Sequence, residues 1–262
     1  MVGQGTIDKA KEKGFKLPEP LDTPITTPPN NSNNVFDLSH GNTVQPNGFQ
    51  TAYQGGMRMV FHKATGGFRS VAFHDSRYAE RRPLAEAAGL LWGAYHFANG
   101  YESGQIQAAG FLDFMKNNGG LENTVFVLDY EPDEYWKHGQ KVAYQDMNLS
   151  QARDFVTHIY NETGVYPLLY GASNKLIHDL IAENVPADDI LYKCPLWFAE
   201  YSDHTPNLSS VHWNEYAFWQ YAANKAPLTP GMNGEIDRSF YNLGMGSLED
   251  FHRKYSVAKV AV

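Results

Sequence analysis

From Val35 onward, short apolar runs alternate with stretches in which apolar residues recur three and four positions apart. The runs are Val35–Ser39, Met57–Ala64, Leu90–Phe97, Thr124–Glu131, Tyr166–Gly171, Leu196–Tyr201, Ala217–Tyr221 and Gly234–Ser239. Their length suits buried strands. Between them, Ala108, Phe111, Leu112 and Met115 mark one face of a helix over 107–117. Ala152, Phe155, Val156, Ile159 and Tyr160 do the same over 150–162, with Gly164 as a stop, and 173–184 is a third helical candidate. Strand–helix alternation predicts a parallel sheet. Eight such runs in one domain predict an α/β fold, a single irregular TIM-like β/α barrel. The irregularity is expected at the end, where the last two runs stand too close for a helix between them. No internal repeat is visible.

The beginning of the chain reads differently. Lys9, Lys11, Lys13 and Lys16 make it basic. Pro18, Pro20, Pro24, Pro28 and Pro29 follow, and then an Asn/Ser run to Asn34. Proline at this density blocks helix and ladder hydrogen bonds, so an extended N-terminal arm or linker is expected over 1–34 and the barrel domain over 35–262. A docking or export segment and a tail without a role fit this composition equally.

Composition narrows the function. A formal net charge of −8 disfavours nucleic acid as partner, because phosphate binding needs clustered Lys and Arg. Aromatic residues make up 14% of the chain, which suits stacking on sugar faces as well as core packing. Cys194, the single cysteine, precedes an apolar run and reads as a buried structural thiol. No segment is long and apolar enough to span a membrane, and no secretory h-region is seen near Met1. Histidines such as His62, His74, His96, His138, His158 and His178 lack paired ligand spacing, so neither metal nor cofactor is expected. Ser39 and Ser173 lack a nucleophile-elbow sequence.

The candidate chemistry centres on Thr124-Val125-Phe126-Val127-Leu128-Asp129-Tyr130-Glu131-Pro132. Four consecutive apolar residues fit a strand buried on both faces. Asp129 and Glu131, two apart, leave the same face of it, and Pro132 ends it. Both acids then stand at the C-terminal end of a strand, where barrel enzymes keep their chemistry. Neighbouring carboxylates resist joint ionisation, so one can hold a proton beside an anionic partner, which is what glycosidic cleavage requires. Taken alone, Asp-x-Glu also fits two ordinary acids before a helix N-terminus. Asp37 after Val35-Phe36 and Asp237 after Glu235-Ile236 supply further acids in the first and last runs. The outer acids have plainer readings too: Asp37 as a cap of the following turn, Asp237 as a partner of Arg238.

At this point the chain resembles glycoside hydrolase family 25, the Chalaropsis-type lysozymes. The resemblance runs through Val35-Phe36-Asp37-Leu38-Ser39, Phe61-His62-Lys63-Ala64-Thr65, Gly93-Ala94-Tyr95-His96-Phe97, Leu128-Asp129-Tyr130-Glu131, Leu196-Trp197-Phe198-Ala199-Glu200-Tyr201, Trp219-Gln220-Tyr221 and Gly234-Glu235-Ile236-Asp237-Arg238-Ser239. It implies an N-acetylmuramidase cleaving the β-1,4 bond from N-acetylmuramic acid to N-acetylglucosamine in the peptidoglycan glycan strand. It implies Glu131 as general acid. Asp129 is implied to orient the substrate's N-acetyl group or to stabilise the developing cation, while Asp37 and Asp237 line the site. Tyr95, His96, Tyr170, Trp197, Trp219 and Lys63 are the expected substrate contacts. For Trp197 and Trp219, core packing is the competing reading. Two departures stand out: Gly66-Gly67 follows Lys-Ala-Thr where the family often has Glu-Gly, and Ser239 occupies a position that is commonly Asn.

A monomer acting on the cell wall is expected, reaching it with a phage lysis system or as cargo of a signal-independent secretion machine; an immunity or delivery partner is left open. Two other functions compete. A family 18 chitinase would carry Asp-x-x-Asp-x-Asp-x-Glu, but Thr124 and Val127 occupy the earlier acid positions. A non-catalytic glycan-binding or inhibitor barrel would have no need to keep all these acids.

Overall fold

Eight strands close into a barrel among the described residues, and they follow one another around it in chain order. The computed structural model describes residues 31–258 except 69–70, 133, 138–139, 144, 203, 223–227 and 235. The strands are β1 (Asn31–Leu38), β2 (Met59–Phe68), β3 (Leu91–Phe97), β4 (Thr124–Asp129), β5 (Leu168–Ala172), β6 (Leu196–Ala199), β7 (Phe218–Ala222) and β8 (Arg238–Asn242). Each corresponds to one predicted run. Strands β1 to β6 each pair in parallel with their successor. The expected parallel sheet fails only at β8, which is antiparallel to both β7 and β1. A parallel strand needs a crossover long enough to bring the chain back to the same end. The connection after β7 holds no helix among its described residues, so the chain turns at the mouth and runs straight down.

The helices are α1 (Gly48–Gln54), α2 (Tyr78–Ala87), α3 (Gly104–Lys116), α4 (Leu149–Thr163), α5 (His178–Ala182) and α6 (Leu248–Tyr255). Local sequence sets their ends. Ser103 caps α3 by accepting from Ile106 N. Asn148 and Gln151 form a capping box at the start of α4, and Gly164 ends that helix at φ 76°. The predicted third helix enters through a π-turn, Ser173–Ile177, before α5. The chain joins the barrel at Asn31, ahead of the expected Val35, because Asn31 and Ser32 already pair with Asn242 and Tyr241. The arm expected before that point lies outside the described residues.

Strand alternation divides the apolar residues into two cores. Val35, Met59, Phe61, Val125, Val127, Leu168, Trp197, Phe218 and Tyr241 fill the barrel interior. Phe36, Val60, Trp92, Phe126, Leu128, Leu169, Phe198, Trp219 and Phe240 pack outward against the helices. Gly93 points inward because Phe61 needs its space: a Cβ at 93 would stand 2.1 Å from the Phe61 ring. At the N-terminal end of the barrel, Leu248 and Phe251 of α6 join the interior cluster, with Phe251 packed edge-on to Phe218 at 5.3 Å. That end is therefore plugged, and the other mouth is left for chemistry. Cys194 is buried, as its apolar surroundings predict. No helix among the described residues is long and apolar enough to cross a membrane.

Candidate active site

At the C-terminal mouth a cavity of about 190 Å³ is lined by Asp37, Ser39, Lys63, Tyr95, Phe97, Val127, Asp129, Glu131, Tyr170, Trp197, Gln220 and Asp237. Asp37 is the last residue but one of β1 and Asp129 ends β4, both on the inward register of their strands. Glu131 follows two residues after Asp129, so it keeps that face. Asp237 arrives differently from expectation. It stands just before β8, and only because β8 runs antiparallel does a strand start meet seven strand ends at one mouth. The Asp37 amide donates to the Asp237 carbonyl at 3.2 Å, which fixes the two segments side by side.

Of the expected substrate contacts, Lys63, Tyr95, Tyr170 and Trp197 line this cavity. His96 and Trp219 do not, which corrects their expected placement. Each sits one residue off the inward register, so its side chain enters the layer between barrel and helices. Thr65 Oγ1 donates to His96 Nδ1 at 2.7 Å, and Nε2 donates to Gln107 Oε1 at 3.0 Å. Burial holds His96 at a pKa of about 4, so it is neutral at physiological pH. Trp219 Nε1 donates to the Glu200 carbonyl at 2.7 Å while its ring packs on Phe240.

Gln220, Phe97 and Tyr201 are not among the residues that the sequence singles out. Gln220 shares the inward register of Phe218, two residues earlier, and that alternation was the available signal. Its Nε2 donates to Asp37 Oδ2 at 2.9 Å. Its Oε1 accepts from the Tyr170 hydroxyl at 2.9 Å and from the Tyr201 hydroxyl at 2.8 Å.

The electrostatics follow from crowding acids in a space screened from water. Burial lifts the Asp129 carboxyl well above the usual range, and the Glu131 and Asp37 charges push the same way against the attraction of Lys63. Asp129 Oδ1 is buried without a hydrogen-bond partner among the described residues. Asp37 is also raised, first by burial and then by Asp237, with the Gln220 hydrogen bond opposing. Burial raises the Tyr95 and Tyr170 phenols well above their ordinary value, so both stay protonated and available as donors. Lys63 Nζ lies 4.4 Å from the Phe97 ring centroid, a cation held at the edge of an acidic cavity.

Trp197 closes one wall, edge-on to Tyr170 at 5.0 Å, and its Nε1 donates to Ser239 Oγ at 3.0 Å. The residue that departs from the common Asn therefore keeps a hydrogen bond of its own. Ser239→Ala leaves the buried indole N–H unpaired and is expected to cost about 1–3 kcal/mol, read from urea unfolding. An unchanged unfolding midpoint would mean that this bond contributes nothing.

A larger cavity, about 900 Å³, lies at the opposite end near Trp92, Glu122, His252 and Arg253. Arg82 there donates to the carbonyls of Gly120 and Glu122 and to Glu86 Oε1, and Glu122 and Glu249 line the same space beside Arg253.

A β/α barrel with four acids and several aromatic rings around its C-terminal mouth is the architecture of a carbohydrate-cleaving enzyme that works with carboxyl groups. The chain belongs to glycosyl hydrolases family 25, whose model matches residues 36–228. It is 28% identical over 220 residues to N,O-diacetylmuramidase of Arthroderma benhamiae, covering 82% of this chain and 85% of that one. Lysozyme M1 of Streptomyces globisporus is 27% identical over 204 residues, 71% of this chain and 60% of the relative. Several curated relatives are longer: the chain spans about three fifths of their length. The bacterial lysozyme structure from Streptomyces coelicolor shares the fold with a TM-score of 0.65 at 24% identity, over 86% of this chain and 97% of that one.

Proposed function

We propose that this chain is an N-acetylmuramidase that hydrolyses the β-1,4 bond from N-acetylmuramic acid to N-acetylglucosamine in peptidoglycan. The observation that carries the reading is the meeting of Asp37, Asp129, Glu131 and Asp237 around one cavity, with Asp129 desolvated beside Glu131. In this reading burial and the Glu131 charge raise the Asp129 carboxyl, so the crowded pair resists losing both protons. Glu131, only half-buried and nearer the mouth, delivers a proton to the leaving oxygen. Asp129, deeper in the cavity, orients the N-acetyl group or offsets charge developing at the anomeric carbon. Asp37 and Asp237 set the field around the pair. Tyr95, Tyr170 and Trp197 form the wall against which a sugar ring packs. Lys63 lies at the edge of the same cavity.

Purified cell walls test the reading. The enzyme is expected to clear a wall suspension and to leave chitin untouched. A wall suspension that binds the protein without clearing would favour a glycan-binding barrel, and release of chitin fragments would favour a chitinase.

A further inference from the structure

We propose that Gln220 is a positioning residue for Asp37: its amide, held in one orientation by the Tyr170 and Tyr201 hydroxyls, donates to Asp37 Oδ2 and keeps Asp37 the anionic member of the carboxyl cluster. The inference deepens the muramidase reading, since it assigns how that site distributes its charge.

The geometry leaves the amide little choice. Gln220 is 3% exposed. Two phenol hydroxyls, at 2.9 and 2.8 Å, converge on its Oε1. Tyr170 keeps its proton because burial raises the phenol well above its ordinary value, and Tyr201 is raised by burial as well. Both are therefore donors, Oε1 must be the acceptor, and Nε2–H must face Asp37 Oδ2 at 2.9 Å. A flipped amide would set N–H against O–H on one side and oxygen against a carboxyl oxygen on the other.

An N–H that points at a carboxylate favours its ionised form. Every other acid facing Asp37 works in the opposite sense. Burial raises Asp37 most, and Asp237, just before β8, and Glu131, beyond the end of β4, add to it by disfavouring a second negative charge. Asp129 lies on the same cavity wall as Glu131, Lys63 enters from β2, and Tyr95 from β3. The donors are unequally shared between the two buried Asp residues. Asp37 has the Gln220 amide, whereas Asp129 Oδ1 has no hydrogen-bond partner among the described residues. The proton that the crowded cavity retains accordingly belongs with the Asp129–Glu131 pair, where hydrolysis needs it, and not with Asp37. Tyr201 links this device to the mouth, since the residue is 60% exposed while its hydroxyl anchors Gln220.

The test titrates Asp37 in the resting full-length protein by NMR of 13C-labelled Asp side chains, assigned with Asp37→Asn. Gln220→Met keeps length and volume but removes the donor, and the Asp37 midpoint is expected to rise by about one pH unit. Tyr170→Phe combined with Tyr201→Phe keeps both rings and frees the amide, and the same upward direction is expected. This second variant carries the test if Gln220→Met does not fold. On cell walls, the acidic limb of kcat/KM is expected to move to higher pH in both variants, whereas a merely structural role would lower activity at all pH values alike. An Asp37 midpoint that stays in place in a folded variant overturns the proposal. Failure of the wild type to cleave walls would sink the muramidase reading alone, because the Asp37 titration is read without substrate.

Discussion

Glu131→Gln is expected to leave the barrel folded and to lower the rate of wall clearing by roughly 10²–10⁴-fold, the usual contribution of a positioned acid. The substitution is nearly isosteric. Glu131 is only half-buried, beyond the last hydrogen-bonded residue of β4, so the ladder to β5 does not depend on its charge. An amide cannot protonate the leaving oxygen. The loss should therefore appear in kcat, with KM changed far less, because sugar packing against Tyr95, Tyr170 and Trp197 remains. Near-full activity in a folded Glu131→Gln protein would remove Glu131 from the role of acid.

Asp129→Asn is expected to do two opposite things. Activity falls about 10²–10³-fold, as when one preorganised group facing the developing charge is lost. Stability at neutral pH rises. Asp129 carries a carboxyl whose pKa is raised by burial and by Glu131, so the folded state binds a proton that the unfolded chain has released. The wild type is then most favoured below the ordinary Asp value near pH 4. It loses that advantage as pH climbs through the raised folded value, where a charge must be held in a dry site. Asparagine carries no such charge. Each pKa unit of elevation corresponds to about 1.4 kcal/mol, and in a domain of this size each kcal/mol is worth about 2–4 °C in Tm. The variant should melt several degrees higher than the wild type at pH 7–8, with the difference closing toward pH 4. A variant less stable than the wild type at neutral pH would show that Asp129 is held mainly by favourable charge partners, with Lys63 prevailing over burial.

Much of the barrel was legible because its strands are unusually apolar on both registers. Thr124–Asp129 is buried throughout, so a continuous apolar run could only be an interior parallel strand. The amphipathic helices α3 and α4 were equally plain. Helix α2 was not, since its sequence Tyr78-Ala79-Glu80-Arg81-Arg82-Pro83 breaks the apolar period with charges and a proline. Its buried face includes two arginines, Arg81 and Arg82, whose guanidinium groups bond backbone carbonyls of Ser39, Asn42, Gly120 and Glu122. No hydrophobic pattern announces an arginine that is buried because a loop carbonyl waits for it. Helix α6 was missed for a related reason. It plugs the barrel with little more than Leu248 and Phe251, too few to register as a period.

The acids were legible as strand ends, yet Asp237 reaches the mouth by the reverse of the expected route. Strand direction depends on whether the connection can return the chain to the far end, which residue pattern alone does not express. His96 and Trp219 show the other limit. A motif places a residue on a strand, but one step of register decides whether it meets substrate or helix, and the inward partners of those two are Tyr95 and Gln220. Gln220 lies inside the Trp219-Gln220-Tyr221 motif, and no residue pattern expresses the two hydroxyls and one carboxyl that meet its amide.

The bond that is cut is read directly by mass spectrometry of the fragments released from purified peptidoglycan. Fragments reduced with borohydride are expected to carry N-acetylmuramitol at their reducing ends, because in the proposed reaction the acid beside Asp129 releases the 4-oxygen of N-acetylglucosamine from the anomeric carbon of N-acetylmuramic acid. Reducing ends of N-acetylglucosamine, or walls that yield no glycan fragments at all to the wild-type protein, would contradict it.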